Sequence, residues 1–291
     1  MKRKIRFIIN PISGIGKQKT IEKLAQMLIE KNVFDYDFVY TNAPKHATIL
    51  AKQAAQEGIN IVAVVGGDGS VNEVGNALIG SNTALAIIPS GSGNGLARHL
   101  GIPIDLKKAI ASLHNSKIQK MDTVKINNTS FINIAGIGFD AHIAWEFSKF
   151  GKRGFSSYIK VALREFFKYK IQNYELTIDG NKISKNAFLI CFANGSQWGN
   201  NVLIAPQANI LDGEIEVVIL NKISFLKIPI LAYKLVRKKV HTSKLVETFR
   251  GKKIFIKQHN FIAHIDGEPM EFGNEITIEV NPLSLNIVIP A

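Results

Sequence analysis

The sequence predicts an α/β domain with a parallel sheet, followed by a second, mainly antiparallel β domain. Three observations carry that reading. The first 125 residues alternate apolar strand-like runs with helix-period segments, and after about Thr123 strand-like runs dominate. The composition, 46% hydrophobic and 20% charged over 291 residues, suits a chain that buries a real core and excludes disorder and collagen. A single cysteine, Cys191, excludes an intramolecular disulfide and a cysteine-based zinc site. The basic start, Met1 to Arg6, leads only into a short apolar stretch before Asn10-Pro11, which is not a secretory signal, and no apolar run approaches the roughly 18 residues of a spanning helix. A cytosolic protein is expected.

The elements follow in order. Ile5–Ile9 is an apolar run ending at Asn10-Pro11, and Lys17 to about Lys31 places Ile21, Leu24, Ala25, Leu28 and Ile29 on one helical face. Phe34–Tyr40 reads as a strand and Lys45 to Glu57 as a helix. The buried strand Ile61–Val65 leads into a glycine loop, then a helix over about Val71–Ile79 and a strand at Ala84–Ile88. Continuous Ile, Val and Ala strands, each followed by a helix, indicate a parallel sheet covered on both faces, where ligands bind at the carboxyl ends of the strands. Beyond the boundary near residue 123 come strand-like runs at Thr129–Ala135, Tyr174–Ile178, Ala187–Phe192, Ile215–Leu220, Lys253–Ile256, Ile262–Ile265, Ile276–Val280 and Ser284–Ile289. The domains are therefore 1–123 and 124–283, with the last strand, 284–291, a candidate to return to the first.

The net charge is +13, and its location matters more than its size. Residues 146–170 carry seven basic side chains against Glu146 and Glu165, and residues 222–244 carry seven basic and no acidic ones. Both mix charge with apolar residues at helical spacing: Lys160, Arg164 and Lys168 beside Ile159, Leu163, Phe166 and Phe167, then Lys227, Lys234 and Lys238 beside Leu226, Ile230, Tyr233 and Val236. Solvated basic helix faces are one reading and a docking surface for anionic phospholipid is the other. Nucleic acid is not expected, since no recognition motif accompanies the charge.

Three glycine loops follow three strands of the first domain. Asn10-Pro11-Ile12-Ser13-Gly14-Ile15-Gly16-Lys17 is not a Walker A loop, because Gln18 replaces the Ser/Thr that holds magnesium, yet its glycines allow close backbone approach. In Gly66-Gly67-Asp68-Gly69-Ser70-Val71-Asn72-Glu73, exposed amides suit phosphate oxygens and Asp68 suits a magnesium ion. The alternative is a plain strand-to-helix turn capped by Ser70. Pro89-Ser90-Gly91-Ser92-Gly93-Asn94-Gly95 lacks the sixth-position glycine of a dinucleotide fingerprint. One such loop is weak evidence; three at one sheet edge point to a nucleotide phosphate site.

These motifs resemble those of the diacylglycerol kinase catalytic family, which also includes sphingosine and ceramide kinases and soluble bacterial lipid kinases. The resemblance rests on Asn10-Pro11-x-Ser13-Gly14, Gly66-Gly67-Asp68-Gly69-Ser70-x-Asn72-Glu73 and Gly91-Ser92-Gly93-Asn94. It continues through Asn133-x-Ala135-Gly136-x-Gly138-Phe139-Asp140, Ala193-Asn194-Gly195, Ala205-Pro206-x-Ala208-x-x-Leu211-Asp212-Gly213 and Asp266-Gly267-Glu268. It implies an α/β domain like that of the NAD kinase and phosphofructokinase group, then a β-sandwich, and ATP- and Mg²⁺-dependent phosphorylation of a lipid alcohol. Diacylglycerol is the default acceptor and a sphingoid-type lipid the next.

By the same resemblance, Asn10, Pro11, Ser13, Gly14, Thr41, Gly66, Gly67, Asp68, Gly69, Ser70, Asn72, Glu73, Ser92, Gly93 and Asn94 form the ATP site. Asp68 and Asp122 organise the catalytic magnesium, and Asp212 with the main chain of Asn209 and Glu214 matches a structural metal site. Asp266 and Glu268 match the general base region. The chain carries Asn94-Gly95 where members similar to bacterial diacylglycerol kinases carry Asn-Asp, so one carboxylate of their magnesium network is missing; sphingosine-kinase-like members also lack it.

An alcohol acceptor needs a proton sink, and Asp266 is favoured slightly over Glu268. Two apart, they share a face of a straight strand, while the intervening glycine makes a turn equally open. Asp140 is a candidate contact for a polar head group, with capping of a helix at Ala141–Phe147 as the alternative. His99, His142, His241 and His264 show no metal-ligand spacing and receive no role. Peripheral association with the inner face of the membrane is expected, and a homodimer is left open. Competing readings are a kinase for a soluble metabolite such as NAD and a non-catalytic, membrane-associated nucleotide sensor.

Overall fold

The computed structural model describes residues 2–13, 18–149, 155–259 and 261–291. It divides into two compact units, residues 1–121 with 283–291, and residues 122–282.

The first unit is built on parallel strands in the order Phe34–Tyr40, Arg3–Ile9, Ile61–Gly66, Ala84–Pro89, with the end of Glu275–Pro290 adding itself in parallel through Ile287 opposite Leu85. All six residues of Ile61–Gly66 and of Ala84–Pro89 are buried, which explains why both runs lack any polar alternation. The helices bury short side chains at steps of three and four: Ala47, Ala51 and Ala54 on His46–Gln56, and Val71, Val74 and Leu78 on Asp68–Leu78. The short helix Leu106–Ala111 is capped by Asp105, whose carboxylate accepts the Lys108 amide. Arg3–Ile9 has the second strand on one side and the third on the other, so the chain's direction of winding reverses there. That reversal opens a crevice at the strands' carboxyl ends.

In the second unit, an all-antiparallel sheet runs Val246–Gly251, Ile215–Leu220, Leu189–Ala193, Ile134–Gly138, Ile262–Ile265, Glu268–Glu271. A second antiparallel layer comes from Asn181–Ala187, Gln172–Ile178, Lys253–Lys257 and the first part of Glu275–Pro290. The core between them pairs Ile137, Phe192, Val217 and Ile219 with Leu176, Ile178, Ile254 and Ile278, giving a β-sandwich. The other face of the first layer is covered by helices Phe139–Lys149, Phe155–Phe166 and Ile228–Val236 around a second cluster that includes Cys191, Val161 and Leu231.

Several expected elements change. The runs Ile276–Val280 and Ser284–Ile289 are one continuous strand, Glu275–Pro290. The run Thr129–Ala135 is two strands, Thr129–Phe131 and Ile134–Gly138. The helix after the second glycine loop begins at Asp68 rather than near Val71, with Gly67 rather than Ser70 in the capping position.

Candidate active site

Because Ile9 pairs with Tyr40 and Val65, and Gly66 with Pro89, the carboxyl ends of these strands finish level with one another. Thr41 lies at the same edge, buried, with its amide on the Ile9 carbonyl at 3.0 Å. The loops leaving this edge are tied together by side chains. Asn10 Nδ2 donates to Ser70 Oγ at 3.0 Å, and its Oδ1 accepts the Ile12 amide at 3.0 Å. The Ser13 and Ser90 hydroxyls lie 3.0 Å apart. Asp68 accepts the Asn94 amide at 2.9 Å and the Gly95 amide at 2.7 Å, fastening the second loop to the third.

Glycine is required where these loops touch. A Cβ on Gly91 would stand 2.5 Å from Gly67 Cα, and one on Gly66 would stand 2.4 Å from Ser70 Cβ. Asn94 occupies the left-handed region at φ 53°, held by its own Nδ2 on the Gly91 carbonyl at 2.8 Å. Gly93 offers its carbonyl to Arg98 Nε at 3.2 Å, while Ser92 is exposed. Gly69 and Asn72 are half-buried in the first turns of the Asp68–Leu78 helix. Glu73, on the same helix, takes the Lys45 amide at 3.2 Å. Gly14 lies outside the described residues. A cavity of about 340 Å³ opens beside Ser90 and Gly91, bounded by Thr20, Leu24, Ile104 and Lys107. Ser90, read from the sequence only as part of the third glycine motif, is brought by the fold to Ser13, 77 positions away.

The candidate acidic residues of the second unit fall into three places. Asp266 and Gly267 have φ of 47° and 88°, so they form a two-residue hairpin turn rather than a strand, and Glu268 opens the next strand opposite Ile265, exposed. The Asp266 carboxylate is buried and accepts three main-chain amides: Asn133 at 3.0 Å and Ile134 at 2.8 Å on Oδ1, and Ile132 at 3.2 Å on Oδ2.

Asp140 is also buried, in the first turn of the Phe139–Lys149 helix. Its Oδ1 accepts the Ala141 amide at 2.8 Å and its Oδ2 meets His264 Nε2 at 3.1 Å. Gly136 makes that pairing sterically feasible, since a Cβ there would stand 2.1 Å from Asp140 Oδ2. His264, given no role from its sequence spacing, is thus a direct partner of a site candidate 124 positions away.

The third place holds the expected metal residues. Asp122 is fully buried, its Oδ2 accepting the Gly213 amide at 2.8 Å. Asn209 Oδ1 takes the Leu211 amide at 3.1 Å, and Asp212 Oδ1 takes the Glu214 amide at 3.1 Å. Arg250 sits on Asp212, with its Nη1 3.7 Å from Glu214. The guanidinium thus occupies the Asp212 carboxylate that, with the main chain of Asn209 and Glu214, is the expected structural metal site, and a cation held there would take its place. Beside them, buried Glu216 has neither carboxylate oxygen hydrogen-bonded; burial above all, and Asp212 besides, push it up to about 7 against the pull of Arg250.

For a catalytic magnesium the donor set is different. Among the described residues no three His, Cys, Asp or Glu side chains converge. Mg²⁺ bound by one carboxylate and otherwise by phosphates and water needs no such cluster, and Asp68 at the loop edge meets that requirement.

Glycine loops crossed by an aspartate at a parallel sheet's switch point have the geometry of a phosphate-binding edge, and a β-sandwich follows in the chain. The chain belongs to the diacylglycerol kinase family: residues 4–126 match the diacylglycerol kinase catalytic domain and residues 133–289 the YegS C-terminal NAD kinase beta sandwich-like domain. It is 30% identical to a diacylglycerol kinase of Bacillus subtilis (strain 168) over 76% of this chain and 75% of that protein. It is also 30% identical to a protein of Klebsiella pneumoniae (strain 342) named "Probable lipid kinase YegS-like", over 96% and 94% of the two. A crystal structure of a diacylglycerol kinase from Bacillus anthracis str. Sterne has the same fold, with a TM-score of 0.77 at 21% identity over 99% of this chain and 97% of that one.

Proposed function

We propose that this kinase transfers the γ-phosphate of ATP to the hydroxyl of a lipid alcohol, diacylglycerol by default or a sphingoid-type lipid. The observation that carries the nucleotide half is the fastening of three loops at one sheet edge by Asn10–Ser70, Ser13–Ser90 and Asp68 on Asn94 and Gly95. Phosphoryl transfer needs chiefly positioning and neutralisation of charge, and loops prefixed by such bonds lose little freedom when a triphosphate arrives. Asp68 would hold the magnesium ion, which when bound neutralises phosphate charge. Asp122 and the residues of the Asp212 turn keep the second unit's loops in place, and no step depends on a metal there.

Asp266 is the proposed proton acceptor. Its buried carboxylate accepts three main-chain amides, which hold it in one orientation at the hairpin turn. Glu268 is exposed and is the weaker candidate. Asp140, whose Oδ1 accepts the Ala141 amide and whose Oδ2 meets His264, is the proposed contact for a polar head group. Among the described residues no helix is long and apolar enough to cross a membrane, so a bilayer-borne acceptor would be met from the surface.

Incubation with labelled ATP, magnesium and a panel of solubilised lipids, with the product identified by mass spectrometry, tests this reading. A phosphorylated lipid alcohol is expected. Nucleotide binding without transfer to any lipid would point to a sensor, and phosphorylation of NAD to a metabolite kinase; either result ends the lipid-kinase proposal.

A further inference from the structure

The helix Phe155–Phe166 turns Val161 and Phe166 inward, where they pack in the cluster that also holds Ile228 and Leu231. Its outward residues are nevertheless apolar too: Ile159 and Leu163 are exposed, and Phe167 just beyond is 70% exposed. The segment 225–236 does the same, leaving Leu226 83% and Ile230 60% exposed beside Tyr233 and Val236. The two sets are one surface, because the Phe225 ring lies 5.0 Å from that of Phe167 and 6.1 Å from that of Phe166. A contiguous apolar patch of this kind costs a soluble protein free energy unless something covers it.

The charge around it is predominantly positive; Glu146 on the neighbouring helix is an exception, and it is paired with Lys149 at 3.4 Å and Arg164 at 3.8 Å. Lys222, Lys227, Arg237, Lys238 and Lys239 are exposed on the second segment, and no acidic residue occurs between 222 and 244. On the first, the one carboxylate between 156 and 170 is Glu165, which is buried and already held by Arg164 at 2.7 Å, His142 at 3.2 Å and Lys168 at 3.5 Å. A partner for this face must therefore offer negative charge and hydrocarbon together. Nucleic acid offers the first and leaves Leu226 and Ile230 against water. An anionic bilayer offers both, with side chains entering the acyl boundary and lysines remaining among the head groups.

We propose that Ile159, Leu163, Phe167, Phe225, Leu226 and Ile230, with the lysines of 222–239, form the face by which this protein docks on anionic phospholipid membranes. The proposal concerns a surface, not the phosphoryl-transfer site, and does not depend on which lipid is phosphorylated.

Co-sedimentation of the full chain with phosphatidylcholine vesicles, with and without phosphatidylglycerol, tests it. The protein is expected on the anionic vesicles and not on the neutral ones. Leu226→Ser with Ile230→Ser should cut the bound fraction about tenfold at any salt concentration. Lys227→Gln and Lys238→Gln should each cost about fivefold at low salt and little at high salt. Turnover of lipid in detergent micelles should be unchanged in all of them, which shows the variants folded. Vesicle binding without any lipid turnover supports this proposal while ending the kinase reading. Serine variants that sediment like the wild type, no binding to anionic vesicles, or loss of binding to a DNA duplex in parallel with the vesicles would each overturn it.

Discussion

Gly91 and Gly67 meet backbone to backbone, and a methyl group on Gly91 would stand 2.5 Å from Gly67 Cα, an approach no flexible side chain can relieve. Gly91→Ala must therefore push the second and third loops apart, at a cost of about 1–3 kcal/mol. Calorimetric titration with ATP should show at least tenfold weaker binding. Gly273→Ala, where the added carbon meets open space, should change neither stability nor affinity. Equal nucleotide affinity in both variants would mean that the contact between the loops has no part in binding. Asp266 gives a second prediction at this scale. In Asp266→Asn the amide group must either turn its NH₂ toward main-chain N–H groups or surrender a bond, and the charge is lost in any case. The variant should melt as though about 2–3 kcal/mol less stable and should not turn over lipid. Glu268→Gln, at an exposed position, should shift stability by no more than about 0.5 kcal/mol. Wild-type melting and turnover in Asp266→Asn would remove this residue from both roles.

Among the elements, those made by local pattern were legible in the sequence and those made by distant partners were not. Phe34–Tyr40 occupies the predicted residues, and the strands read at Ile61–Val65 and Ala84–Ile88 each run one residue further, because uninterrupted apolar runs between glycine or proline signals leave little choice. Thr129–Ala135 reads as one strand, but the amides of Ile132 and Asn133 turn to a carboxylate more than 130 positions away, and the strand breaks there. Asn181–Ala187 was missed since it lies at the end of its layer and is largely exposed, so its lysines and asparagines show no buried face. The glycine loops were visible as motifs; that Asp68 spans two of them, or that His264 meets Asp140, needed the fold. The strand Ile215–Leu220 carries its own test. Glu216 binds its proton more tightly in the fold, near pH 7, than at the ordinary value of 4.5, so raising the pH between those values withdraws stability. Glu216→Gln keeps the shape without the charge. It should melt close to the wild type at pH 4 to 5 and be more stable at pH 8, by about 3 kcal/mol at most. A parallel pH dependence in the two proteins would show that this carboxyl does not titrate in the folded chain.

At the scale of the whole molecule, the first compact unit is not a continuous stretch of sequence: it takes residues 283–291 from the far end of the chain. That segment is not a surface appendage. Leu285 and Ile287 are fully buried and Val288 nearly so. Ile287 lies opposite Leu85, the Gly80 amide donates to the Ser284 carbonyl at 2.8 Å, and Asn286 Nδ2 donates to the Ser81 carbonyl at 3.0 Å. Burying three such side chains is worth about 5–9 kcal/mol, comparable with the entire stability of an ordinary domain. A chain ending at residue 282 keeps every glycine loop in its sequence, but it exposes one side of Ala84–Pro89, the strand from which the third loop departs. It should therefore lose nucleotide binding and the corresponding thermal transition together. A peptide of residues 275–291 added in excess should restore part of both, because binding to the folded form alone shifts the equilibrium toward it. Retention of nucleotide affinity and of the melting profile after truncation would show that the residues before position 122 hold the phosphate edge in shape by themselves.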